Sequence, residues 1–267
     1  MTAEMSIARA SKTDTSKLGK AYNPEGKILL VVEMDYTVLF KGVRMFEDFW
    51  GKDLWYVNHV LRGRDGWGNL GFITRDQIER IVIEFLRQYK VQYTYRIDRE
   101  GLRKALTNLN KHSKILAGRS LLDLNFNEEV SVENGMTTWI REIVKEMYDE
   151  LCGVHGIGPT SASKILHGIN TQVFMMWDQF IRPGYEYYKE NTEDYLKFMA
   201  DCQKILKRIV EDYQEKHGCD VNIAEKEICE RAYPDLEVKK PLAKLLDEYN
   251  WMKFCNKRDL PDPWLDP

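Results

Sequence analysis

The residues of this chain whose types and spacing suggest chemistry lie in Leu151-Cys-Gly-Val-His-Gly-Ile-Gly-Pro-Thr-Ser-Ala-Ser-Lys-Ile-Leu166. A helix ending at Cys152 is expected to run into a tight turn, with Gly153, Gly156 and Gly158 permitting positive φ. Pro159 then falls in the first turn of a second helix, where its missing N–H does no harm. The uncommitted N–H groups of the turn and the dipole of the following helix make a local anion site. Thr160, Ser161 and Ser163 add short donors, and Lys164 adds a charge. Ile157 is expected to face inward and hold the two helices together, while Ala162 allows their close approach. Backbone amides reach a phosphate without reading a base, so the ligand these residues suit is a nucleic-acid backbone. The alternative is an αα-hairpin with a glycine turn and no ligand. His155, inside the turn, can contact phosphate, polarise a leaving base, or simply stand in solvent.

The glycines, the apolar residue between them, and the alanine and aliphatic residues of the second helix together resemble the helix-hairpin-helix motif. The likeness is in particular to the DNA glycosylase superfamily that includes endonuclease III. It is carried by residues 137–182; the helical character of 74–255 is compatible with it, and 1–73 are not explained by it. The resemblance implies a mainly α fold of helical DNA-glycosylase-like architecture with few or no strands, and duplex DNA as partner. It also implies an aspartate essential for base excision, about twenty residues beyond the last hairpin glycine. HGINTQVFMMWDQFIR follows the hairpin here, and Asp178 stands twenty positions after Gly158. In that role a carboxylate stabilises a positively charged, oxocarbenium-like sugar and assists attack by water. The residues expected to hold the phosphate backbone are Gly153, His155, Gly156, Gly158, Thr160, Ser161 and Lys164. Asp178 can equally cap a helix beginning at Gln179 or pair with Arg182 at i+4, and Arg182 can instead contact phosphate. Phe174, Met175 and Met176 read as core.

Three departures from the family pattern shape the expectation. Thr160 stands where bifunctional members carry a lysine nucleophile, so a monofunctional enzyme without lyase chemistry is implied. Trp177 precedes Asp178 where the family has a small β-branched residue, so the pocket is narrowed or gains a stacking face. Cys202, Cys219, Cys229 and Cys255 are too scattered for the family's iron–sulfur cluster, and no cofactor or metal is expected. The leading expectation is hydrolysis of the N-glycosidic bond of a damaged or modified base in DNA, in base excision repair. The alternatives are a non-catalytic nucleic-acid-binding protein of the same fold and an N-glycosidase acting on a free nucleotide or nucleoside. HExxH, GxSxG, P-loop and CxxC patterns are absent from the chain, so no competing mechanism presents itself.

The elements that must position these residues are helical. Thr74 can cap a helix carrying Ile78, Ile81, Val82, Phe85 and Leu86, and Asp98 the next, with Leu102, Ala105, Leu106 and Leu109. Further helices are expected over about 134–152, 192–216, 222–232 and 240–254. Residues 27–40 leave strand and helix open, and 43–72, rich in aromatics and glycine (Trp50, Trp55, Tyr56, Gly63, Gly66, Trp67, Gly68), suit either a loop platform or a turn-broken part of the core. Residues 1–22 read as a disordered lead-in, 23–256 as the helical region with room for two subdomains flanking a cleft, and 257–267 as an extended tail. Of the 267 residues, 43% are hydrophobic, and 39 Lys+Arg face 42 Asp+Glu. The net charge of −3 excludes a histone-like binder, yet residues 90–119 carry eight basic and two acidic side chains, with Tyr89, Tyr93 and Tyr95 interleaved as in a backbone groove. The longest aliphatic run, Ile28 to Val32, is too short to span a membrane. The N-terminus offers no apolar signal core, and the five cysteines read as reduced thiols, so a cytoplasmic or intracellular protein is expected.

Overall fold

The computed structural model of the chain describes residues 20–22, 28–30, 34–62, 67, 70–132 and 135–260. Most of the lead-in, Gly63, Gly66 and Gly68, and the tail beyond 260 lie outside these. Lys20–Tyr22, expected in the lead-in, instead form a strand β1 that pairs antiparallel with β2, Ile28–Leu30.

The fold is mainly helical. Asp35 opens α1 (Tyr36–Trp50) by accepting the Val38 N–H at 2.8 Å, and Leu39, Gly42, Val43 and Phe46 bury one face at helical spacing. A short α2 (Leu54–Tyr56) widens into a π-helical turn, Val57–Leu61. Thr74 and Gln77 form a capping box on α3 (Arg75–Gln77), which runs through a wide coil, Ile78–Ile83, into α4 (Glu84–Gln88). Asp98 caps α5 (Arg99–Ile115), as expected. The helix expected from about residue 134 starts later: Thr137–Trp139 (β4) pair with Glu129–Ser131 (β3), and α6 covers Ile140–Cys152. The β-branched pair Thr137 and Thr138 favours that strand over an extra helical turn. Then come α7 (Pro159–Ile169), α8 (Ile181–Gly184), α9 (Thr192–His217), α10 (Val221–Ala232) and α11 (Leu242–Asn250), which passes into a π-helical turn, Trp251–Cys255. No helix among the described residues is long and apolar enough to cross a membrane.

One hydrophobic core runs from Met34 to Leu260, and α11 is its axis. All nine residues of α11 are buried, wrapped by α1, α9 and α10. Gly42 lets α1 come close: a Cβ there would stand 2.3 Å from the Tyr249 ring. Yet this helix carries Lys244, Asp247, Glu248 and Asn250, whose burial is tolerable only with partners. Lys240 Nζ sits 2.6 Å from Glu248 Oε1, both side chains being wholly buried, and the Tyr233 hydroxyl donates to Glu248 Oε2 at 2.8 Å. Lys244 Nζ lies 3.3 Å from Asp247 and 3.7 Å from Glu248 and Asp53. The Tyr185 hydroxyl donates to Asn250 at 2.7 Å.

Candidate active site

The hairpin forms as two helices joined by a tight turn, but its glycines are not equivalent. Gly153 ends α6 at φ −71°, and Gly158 caps α7 at φ −99°. Gly156 alone takes positive φ, +85°, and a Cβ there would lie 2.6 Å from the carbonyl oxygen of Arg96. The expectation of positive φ at all three is corrected to one, because a single left-handed residue suffices to reverse the chain between these helices. Gly156→Ala should therefore cost about 2–3 kcal/mol in urea unfolding, against under about 1 kcal/mol for Gly158→Ala, whose Cβ meets open space. The turn is pinned to the segment before α5 by the Asp98 N–H, which donates to the His155 carbonyl at 3.0 Å. Ile157 and Ala162 are buried between the helices.

The outward part of the hairpin is the turn itself. Gly153, His155, Gly156 and Gly158 are exposed, Thr160 is half-buried and Ser161 is buried. Lys164, expected against phosphate, points inward: its Nζ donates to the Tyr89 carbonyl at 2.8 Å. Burial pulls its pKa below the ordinary lysine value, against the attraction of Asp178 and Asp247. The reason is helical phase. Four residues beyond Thr160, Lys164 faces the same side as that residue, and both line a cavity.

Two side chains of α7 fasten the buried run Val173–Trp177 alongside it. Ser163 Oγ accepts the Trp177 N–H at 3.2 Å and lies 3.1 Å from the Trp177 carbonyl. His167 donates from Nδ1 to the Phe174 carbonyl at 2.6 Å and meets the Tyr56 hydroxyl at Nε2, 2.8 Å away. Burial pushes the His167 pKa down to about 3, so the ring is neutral. Threaded in this way, the chain emerges from the core at Asp178. Phe174, Met175 and Met176 are core residues, as expected.

Asp178 caps the short turn that follows. Its Oδ1 accepts the N–H groups of Phe180 at 2.8 Å and Ile181 at 3.0 Å, while the Cys255 thiol lies 3.3 Å from Oδ2. Burial, and then the charge of Asp178, raise the pKa of that thiol. The carboxylate lines a cavity of about 700 Å³ together with Thr160, Lys164, Asp53, Lys244 and Asp247. Much of the lining is aromatic: Phe46, Trp50, Trp55, Tyr89 and Trp251 contribute, and Phe180 joins them beside Asp178. Trp50 and Phe180 are half exposed, and Lys90 Nζ lies 5.6 Å over the Trp50 ring. The aromatic segment that the sequence could not place thus supplies much of the cavity.

Trp177 is among the residues that line the cavity, as expected, whereas Arg182 is not. The Trp177 ring is wholly buried against Tyr195 at 5.2 Å and Phe198 at 5.6 Å, so it offers no open stacking face. Arg182 is buried 5.4 Å over that ring and pairs with Glu190 rather than with the Asp178 side chain. The basic stretch is thinner than its composition. Arg99 pairs with Glu79, Arg103 with Glu100 and Arg119 with Glu128. Tyr89 donates its hydroxyl to Asp53 at 2.8 Å. Lys90, Arg96, Lys104, Lys111 and Lys114 are exposed and make no ion pair among the described residues. Arg96 stacks between the exposed rings of Tyr93, at 4.8 Å, and Tyr95, at 5.6 Å, next to the hairpin turn. All five cysteines are free, and no group of three or more metal-ligating side chains occurs among the described residues.

What sequence reasoning missed are the polar groups of α11. Lys244, Asp247 and Glu248 sit at i, i+3 and i+4, a spacing that reads as a solvated ion-paired face. Comparison with protein-family models, with curated proteins and with solved structures returns no match.

Proposed function

We propose that the protein is a monofunctional DNA glycosylase, hydrolysing the N-glycosidic bond of a damaged or modified base. The observation that carries this reading is Asp178, a carboxylate twenty residues beyond the hairpin glycine that lines a cavity, with one oxygen fixed by backbone amides and the other beside the Cys255 thiol. When the bond from C1′ to the base breaks, its electron pair leaves with the base and positive charge develops on the sugar. A carboxylate fixed beforehand opposes that charge without reorganising, and takes a proton from the attacking water. The target nucleotide must leave the base stack to be reached. A cavity of about 700 Å³ is of ligand-pocket size, and its aromatic wall offers stacking faces. The exposed turn 153–158 and the neighbouring Arg96 would hold the phosphates.

A second reading, an N-glycosidase acting on a free nucleoside or nucleotide, is favoured by the pairing of Arg99, Arg103 and Arg119 and by the inward Lys164. Salt dependence separates the two. The glycosylase reading expects the logarithm of duplex affinity to fall with the logarithm of salt at a slope of about −3 or steeper. It also expects base release from some member of a panel of duplexes carrying deaminated, oxidised or alkylated bases. Release from nucleosides with no duplex binding favours the second reading, and release from neither defeats both.

A further inference from the structure

Hydrolysis of an N-glycoside makes two demands. The sugar needs a negative charge beside it, and a neutral base needs a proton, because it otherwise departs as an anion. One group of the cavity must be ionised while another carries a proton. Asp178 meets the first demand, and the second falls to another group of the walls. The Tyr89 hydroxyl is committed to Asp53, and burial lifts its pKa far above the ordinary phenol value. Cys255 is bound to Asp178 and is too weak an acid. Lys164 is held by the Tyr89 carbonyl. Burial works against the Lys244 ammonium, but Asp247, Glu248 and Asp53 outweigh it and lock it as a cation. Asp53 is engaged on both oxygens, accepting the Tyr89 hydroxyl on one and the Tyr56 N–H on the other.

Asp247 remains. It lines the cavity from α11, in the part of the core where that helix meets the wall carrying Lys164 and Asp178. We propose that Asp247 is the general acid of the site, protonating a neutral base as it departs. The proposal rests on the glycosylase reading of Asp178. Burial pushes the Asp247 carboxyl up to about 6; Lys244, 3.3 Å away on the same helix, opposes this, and Glu248 adds to it. Lys164 faces it from α7 and Cys202 from α9. Tyr56, Tyr89 and Cys255 complete its titratable surroundings, all with pKa values raised by burial. The C1′–N bond breaks, its electron pair goes to the base, and the Asp247 proton follows it. Water adds to C1′ and gives a proton to Asp178, and solvent then restores both carboxyl groups.

The group also sorts substrates. A base already cationic through N-alkylation leaves as a neutral molecule and gains nothing from Asp247. The experiment is single-turnover release from duplexes containing uracil, hypoxanthine or 8-oxoguanine, and from one containing 7-methylguanine, between pH 5 and 8. Release of the neutral base is expected to fall about tenfold per pH unit above a midpoint near 6. In Asp247→Asn it should be about 10²- to 10³-fold slower and lose that limb, while any release of 7-methylguanine keeps its rate. A flat wild-type profile, a variant as fast as wild type, or release of 7-methylguanine alone overturns the proposal and leaves the role of Asp178 standing. Release of no base from any duplex overturns both. The wild-type profiles on the two kinds of leaving group decide the matter even if the variant fails to fold.

Discussion

Asp178→Asn is expected to lower base release by about 10³-fold while shifting the melting temperature by no more than about 3 °C. The two halves of this result have separate causes. The side-chain amide oxygen of asparagine can still accept the N–H groups of Phe180 and Ile181, so the turn into α8 keeps its cap. What disappears is the negative charge facing the cavity, together with the base that receives a proton from water. Single-turnover release and a thermal melt on the same preparation test both halves. An unimpaired rate in a folded variant would show that Asp178 is only a cap. Asp178→Ala, which removes cap and charge together, should lose about 1 kcal/mol more in stability than the asparagine variant.

The largest loss of stability is expected within the polar run of α11, in Glu248→Gln. Lys240 is wholly buried, with Glu248 as its ion-pair partner at 2.6 Å. Removing the carboxylate leaves a cation without water or counter-charge, a cost of about 3–5 kcal/mol. The sign of its pH dependence follows from the lysine. Burial already lowers the Lys240 pKa in the folded protein, and losing Glu248 lowers it further. Folding must then neutralise a group that is charged in the unfolded chain, and that cost falls by about 1.4 kcal/mol for each unit the pH rises toward 10.5. The deficit in urea unfolding should therefore shrink between pH 7 and 9. Replacing both partners, with Lys240→Met and Glu248→Leu, should recover part of the loss, because two apolar side chains leave no charge stranded.

The elements legible in the sequence were those announced by local chemistry. Thr74 and Asp98 are short oxygen-bearing side chains directly before apolar periodicity, and each caps the helix it heralds. The hairpin was legible for the same reason, glycine and Pro159 being signals read over a few residues. The start of α1 was not, since Tyr36-Thr37-Val38 is a strand-like triplet whose helical state comes from the Asp35 cap and from packing on α11. In the site, Asp178 was singled out by the resemblance to the glycosylase superfamily, which implies an aspartate at that distance from the hairpin. The inward turn of Lys164 depends on helical phase and on the Tyr89 carbonyl, 75 positions earlier, which accepts from its Nζ. Asp247 was hidden more deeply. Its neighbours Lys244 and Glu248 make a pattern typical of a solvated helix, and only the wrapping of α11 by α1, α9 and α10 turns it into a buried network.

That wrapping also bears on how the molecule is born. The segments that interlock, 36–50 and 242–250, are separated by almost the whole described chain, so the contact with the longest loop to close is the one that completes the core. A nascent chain can assemble α5, α6 and α7 from near neighbours as they emerge. The apolar face of α1 packs on α9, α10 and α11, all of them synthesised after residue 191. The cavity is walled from both segments, so it is incomplete until α11 is in place.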